Sequence, residues 1–154
     1  MSNSKSYIHY GANAYDCTKF EKITNKGTNK PNGGLWSSPV QSPVISWHDW
    51  CEYNDYRTHA LNESFEFDID PKAKILTIES DDDLNKLDIY DLYVVLTKNG
   101  LPSPCREYWD LDFEQMALDW DGIKVSITTS KIYFALYGWD CDTLLIFNPE
   151  IIIL

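Results

Sequence analysis

The feature that most limits the fold is a largely apolar run near the end of the printed chain, Thr143-Leu144-Leu145-Ile146-Phe147. It has no polar residue at alternate positions, which is typical of a strand buried on both faces. Asn148 and Pro149 follow it and end it. The run therefore predicts the central strand of a sheet.

Other segments alternate between apolar and polar residues, as half-buried strands do. The clearest is Phe65, Phe67 and Ile69, interleaved with acids and stopped by Pro71. Further strands are predicted at Tyr7–Tyr10, Leu35–Ser38, Leu76–Ile78, Ile123–Ile127 and Ile132–Leu136. We expect the 76–78 strand to pair with the 65–69 strand after a turn at Asp70-Pro71, and the 132–136 strand to lie beside 123–127.

Helices are predicted where a capping residue precedes apolar residues at helical spacing. The caps are Asp16, Ser46 and Asp112, and an acidic first turn marks a fourth helix from Ser80 to Leu87. Trp47 and Trp50 are expected to face the core. The strands come in runs instead of alternating with helices. This order predicts an α+β fold with a split, mainly antiparallel sheet and short flanking helices.

Composition sets the class of protein. The chain has 154 residues, 14% of them aromatic, which fits one globular domain over 1–154. Its net charge of −11 opposes direct nucleic-acid binding, although Lys19, Lys22, Lys26 and Lys30 form one basic stretch. Without a membrane-length apolar run or a signal-peptide pattern, we expect no membrane association and a cytoplasmic location.

The cysteines Cys17, Cys51, Cys105 and Cys141 are evenly spread, with no C-x-x-C pair. His48 and Cys51 form an H-x-x-C, but no second ligand pair follows at zinc spacing. Buried free thiols are the expected state, with no metal site.

Three local clusters carry groups suited to chemistry. The first is His9 within Tyr7–Gly11, near the end of a strand. The second is Gly33–Pro39, where a flexible loop leads into Trp36 and two hydroxyls. The third is Tyr137–Asp142, where Asp140 and Asp142 stand just before the apolar run.

The order of these clusters resembles the ADP-ribosyltransferase fold, a split NAD-binding sheet. The GGLWSSP…SWHDWC and GWDCDTLLIFNP stretches are similar to small phage and prophage-encoded proteins of that kind, among them the type to which an anti-CRISPR ADP-ribosyltransferase belongs. The resemblance implies NAD as co-substrate.

The resemblance assigns each cluster a role. His9, with Tyr10 and Gly11, would bind the nicotinamide-side ribose, and Ser37 or Ser38 would shape the nicotinamide pocket. Trp36 is either a wall of that pocket or part of the core. Asp142 would take the place of the family's glutamate, which stabilises the cation formed as nicotinamide leaves. Asp140 would orient the acceptor, or is simply a solvated turn residue.

The expected function is therefore NAD-dependent mono-ADP-ribosylation of a protein target, in a phage-encoded inhibitor of host defence acting in the host cytoplasm. One alternative is a non-catalytic acidic binding protein, even a nucleic-acid mimic, that blocks a basic surface. Another is a fold of this type that binds NAD without turnover.

Overall fold

The computed structural model describes residues 4–26, 29–89 and 111–154. Within them lie seven strands and four α-helices. The strands are β1 Tyr7–Tyr10, β2 Leu35–Pro39, β3 Ser64–Ile69, β4 Ile75–Ile78, β5 Gly122–Val125, β6 Thr143–Ile146 and β7 Ile152–Ile153. The helices are α1 Trp47–Asn54, α2 Asp81–Ile89, α3 Phe113–Asp119 and α4 Ser130–Ala135. Within these ranges, no helix is long and apolar enough to cross a membrane.

The strands form one sheet in the order β4-β5-β6-β2-β1-β3-β7. Every pairing is antiparallel except that of β4 with β5. The α+β class and the mainly antiparallel sheet are therefore confirmed.

Strand β6 is buried on both faces, as its composition predicts. Leu145 packs into the larger core cluster, together with residues of α2, α3 and α4. Leu144 and Ile146 point the other way, into a smaller cluster with Phe67 and Ile151. Because β6 pairs with both β5 and β2, it joins the two halves of the sheet.

The expected pairing of the 76–78 strand with the 65–69 strand is wrong. The outer edge of β3 is taken by β7, with Asp68 opposite Ile153 and Ile69 opposite Ile152. Strand β4 instead lies at the far edge of the sheet, parallel to β5. The Asp70-Pro71 turn signal correctly indicated that β3 ends there, but it carried no information about which strand occupies the open edge of β3.

The strand expected at Ile132–Leu136 is also wrong, because this segment is helix α4 and its C-cap. The Thr129 side chain accepts a hydrogen bond from the Ile132 N–H and begins the helix. Ile132, Ala135 and Leu136 are buried, at the i, i+3 and i+4 positions of a helical stripe. The same residues also fit a short apolar strand, and tertiary packing decided between the two.

Two smaller expectations also need correction. Asp16 caps only the 3₁₀ turn Cys17–Lys19, not a longer helix. Trp47 and Trp50 are half-buried and stack on each other with ring centroids 5.4 Å apart, so Cys51 is the buried residue of α1. The capping roles of Ser46 and Asp112 are confirmed. Cys105 lies outside the described residues, and of the other thiols expected to be buried, Cys17 is exposed.

Candidate functional site

A cavity of about 380 Å³ lies where β1, β2 and the start of β6 meet the first residue of α1 and the turn that follows this helix. This volume is within the usual range of small-molecule sites. The lining residues come from six segments of the chain: Ile8, His9, Tyr10, Lys30, Trp36, Ser37, Ser38, Trp47, Tyr56, Arg57, Cys141 and Thr143. Five of the six residues predicted to bind a cofactor are thus brought together, and Gly11 is the exception.

His9 is held in one orientation by β2. Its Nδ1 donates a hydrogen bond to the Trp36 carbonyl oxygen at 2.7 Å, and its ring lies 5.1 Å from that of Phe65. A carbonyl oxygen only accepts, so Nδ1 carries the proton and Nε2 of the neutral ring is an acceptor. The residue therefore presents an oriented hydrogen-bonding group to the cavity.

The two serines are already engaged within the protein. Ser37 Oγ donates to the Leu144 carbonyl oxygen at 2.8 Å, which ties β2 to β6. Ser38 Oγ donates to the Asp142 carbonyl oxygen at 3.2 Å and accepts from the Trp47 N–H at 2.9 Å. Their hydroxyl protons are used, so toward a ligand they act as small polar walls and as acceptors.

Aromatic rings line much of the rest of the cavity. Trp36 packs its ring 5.1 Å from that of Trp139 and also lines the cavity, so it is both core and wall. Tyr56 packs edge-on against Trp47 at 5.9 Å. Burial raises the pKa of the Tyr10 phenol above its ordinary value, and the negative charges of Asp49 and Glu66 raise it further. A flat ligand has aromatic surfaces to pack against on more than one side.

The Asp142 side chain does not line this cavity. Its side chain is buried, with one carboxylate oxygen accepting from the Val44 and Ile45 N–H groups at 2.9 and 3.1 Å. The other oxygen accepts from the Ile127 N–H at 3.2 Å. The carboxylate thus joins the β2–α1 connection to the segment after β5.

Neither predicted catalytic acid lines the cavity. Cys141 and Thr143, on either side of Asp142, both do, whereas the Asp142 carboxylate between them bonds the three backbone N–H groups instead. Asp140 is half-buried and is also absent from the lining. Burial raises the pKa of the Cys141 thiol to about 11, so the sulfur at the cavity wall is protonated and unreactive at neutral pH.

No protein-family model, curated protein or solved structure matches this chain. The resemblance to the ADP-ribosyltransferase fold therefore stays a prediction from the residues quoted from the sequence, and the geometry of the cavity is the basis for a proposed function.

The glycines near the site have a structural role in the backbone. Gly34 has φ +71°, and a Cβ there would come within 2.7 Å of the Ile146 carbonyl oxygen. Gly33 has φ +77° and packs against the backbone of Lys22. Gly11 donates its N–H to the Glu63 carbonyl oxygen at 2.8 Å. All three allow close turns or packing, and none lines the cavity.

Sequence reasoning missed several lining residues, chiefly Arg57, Tyr56 and Thr143. Lys30 had a signal, because it ends the basic stretch. Arg57 had no such signal in the sequence, since an unusual backbone conformation, and no recognisable motif, places it at the cavity.

A second cavity of about 370 Å³ shares Tyr10 with the first and includes His48 and Asp49. Among the described residues, His48, Asp49 and Glu52 place one ligand atom each within 4.8 Å of one another. His48 Nδ1 is 3.5 Å from Asp49 Oδ1, and its Nε2 is 3.7 Å from Glu52 Oε1. These side chains could hold a divalent ion, but such distances also fit ordinary surface ion pairs.

Proposed function

We propose that the protein binds NAD, or a closely related nucleotide, in the cavity between β1, β2 and β6. The observation that carries this proposal is the convergence of His9, Trp36 and Ser37 on one cavity. An oriented imidazole can bond a ribose hydroxyl, and the Trp36 ring offers a surface for a flat heterocycle.

The proposal concerns binding, not transfer of ADP-ribose. In the family that the sequence resembles, a carboxylate beside the ribose stabilises the cation left by departing nicotinamide. Asp142 holds three backbone N–H groups instead, and no acid of the described ranges lines the cavity. Of the functions considered, NAD binding without turnover suits this geometry best, and ADP-ribosyl transfer stays a prediction of the resemblance.

Titration calorimetry with NAD tests the binding. We expect saturable binding by the wild type and a loss of about tenfold or more in His9→Ala, which removes one oriented hydrogen bond to the ligand. His59→Ala is the matched control, because His59 is exposed and outside the lining. Equal affinities of wild type and His9→Ala would contradict the proposal.

Nicotinamide release tests for turnover in the same samples. We expect release from NAD no faster than in a protein-free blank. Release that depends on the wild-type protein and is lost in Asp140→Asn would instead support the transferase.

A second candidate, docking on a basic partner, is favoured by one surface. Asp81 and Asp82 are exposed at the start of α2, and Thr129 Oγ1 donates to Asp81 at 2.6 Å, which brings α4 beside them. Helix α4 and the turn after it expose Tyr133, Phe134 and Tyr137. Aromatics beside acids suit a basic surface with apolar anchors.

A peptide of alternating lysine and leucine probes this surface. We expect Phe134→Ser to weaken its binding several-fold, whereas Tyr53→Ser, another highly exposed aromatic on α1, leaves it unchanged. Equal effects of the two substitutions would count against docking at α4.

A further inference from the structure

The charge lining the cavity is opposite in sign to that of the chain. The protein has 24 Asp and Glu against 13 Lys and Arg. Among the residues that the structure describes, the cavity lining nevertheless includes Lys30 and Arg57 and no acid. Because opposite charges attract more strongly where water is partly excluded, the cavity favours an anionic ligand despite the net charge of the protein.

Arg57 reaches the cavity through a strained turn. Asp55 and Arg57 have φ of 50° and 49°, a left-handed conformation that costs free energy for residues other than glycine. Between them, the Tyr56 N–H donates to the Cys51 carbonyl oxygen at 2.9 Å and ends α1. The turn brings both Tyr56 and Arg57 into the cavity lining.

The Arg57 guanidinium is available to a ligand. It lies over the Tyr56 ring, 5.6 Å from the centroid, and makes no ion pair with any described acid. A guanidinium packed on an aromatic ring keeps its N–H groups at the edge, where they can bond two oxygens of a phosphate.

Lys30 enters from a well-anchored loop. Asn29 before it is buried, its side chain donates to the Tyr137 carbonyl oxygen, and its own carbonyl oxygen accepts from Trp139 Nε1. Lys30 Nζ lies 6.0 Å from the centroid of the Trp36 ring. The second cation is therefore beside the ring proposed to pack against the ligand's heterocycle.

We propose that Arg57 and Lys30 bind the phosphate groups of a phosphorylated nucleotide whose base or nicotinamide lies against Trp36. The inference deepens the proposed function and rests on it for the position of the ligand. It adds the ligand class, a nucleoside phosphate or diphosphate, and the two residues that recognise it.

Calorimetry with adenosine, AMP, ADP-ribose and inorganic pyrophosphate tests this assignment. We expect AMP to bind the wild type at least about tenfold more tightly than adenosine, as a charge-assisted contact allows. Arg57→Gln should reduce that preference to about threefold or less, and Arg57→Lys should retain part of it. Lys72→Gln, an exposed lysine outside the lining, is the matched control.

The ligand set separates the two proposals. Arg57-dependent binding of pyrophosphate without any binding of NAD would support the phosphate site and overturn the proposed function. NAD binding of equal strength in wild type and Arg57→Gln would support the proposed function and overturn the phosphate site. Equal binding of adenosine and AMP by the wild type would overturn the phosphate site, and a thermal melt of each variant verifies that it is folded.

Discussion

The predicted site has two parts, one on β1 and β2 and one around the start of β6, and they differ in which predicted side chains line the cavity. At one end, His9 on β1 and Trp36 on β2 are linked by a 2.7 Å hydrogen bond and both line the cavity. At the other end, Cys141 and Thr143 line the cavity while Asp142 between them bonds three backbone N–H groups elsewhere.

The difference arises in the segment just before β6, where neighbouring side chains point in different directions. Whether two strands lie side by side depends on the fold as a whole, but which side chain reaches a cavity changes with a shift of a single residue. A motif can therefore mark the correct segment and still name the wrong residue in it.

The largest expected effect is that of Asp142→Ala. The substitution leaves three backbone N–H groups without their acceptor, and we expect it to lower the free energy of unfolding by about 3–5 kcal/mol. Thermal denaturation measures this loss, with a midpoint expected roughly 6–20 °C lower. Asp140→Ala, two residues away and half-buried, is expected to change stability by about 0.5 kcal/mol or less. Similar stabilities for the two variants would show that the Asp142 carboxylate has no special structural part.

The next largest effect is a loss of folding stability at alkaline pH, caused by the Cys141 thiol. Burial raises the pKa of its thiol from 9.0 to about 11, so the folded protein keeps a proton that the unfolded chain loses. The resulting stability is complete below pH 9 and is lost as the pH rises through about 11, a fall of roughly 2–3 kcal/mol.

Chemical denaturation between pH 8 and 11 measures this decline. Cys141→Ala should make the decline shallower, whereas Cys17→Ala, at an exposed thiol, should leave its slope unchanged. If both variants follow the wild-type curve, the buried thiol is not the group that titrates.

The smallest effect is expected for Ser37→Ala. It removes one hydrogen bond, from Ser37 Oγ to the Leu144 carbonyl oxygen, and should cost about 1 kcal/mol. NAD affinity should change less than in His9→Ala, because the serine proton is already engaged. A loss of NAD binding larger than that of His9→Ala would mean that the serine contacts the ligand directly.

Much of the fold follows from short-range patterns. The alternation of Phe65 and Phe67, the apolar run of β6 and the capping side chains of Ser46 and Asp112 each identified an element correctly. Strand partners and the helical nature of 130–135 did not follow, because the vacant edge of β3 and the surface that buries Ile132 are formed by residues distant in sequence.

The site, like the fold, could be predicted only in part. His9, Tyr10, Trp36, Ser37 and Ser38 were expected together and are together. Arg57 was not expected, since nothing in the sequence reveals the left-handed conformation that places it there. Asp142 was expected in the site because a resemblance gives a position along the chain and not the direction of a side chain.

The position of β6 in the sheet has a consequence for synthesis. Strands β2 and β5 are both completed before residue 143, yet each needs β6 as a partner. At typical translation rates of about 5–20 residues per second, β2 waits several seconds for the strand that joins it to β5. During that interval its edge is open to pairing with other chains. A pause at any point between the synthesis of β2 and that of β6 would prolong this exposure.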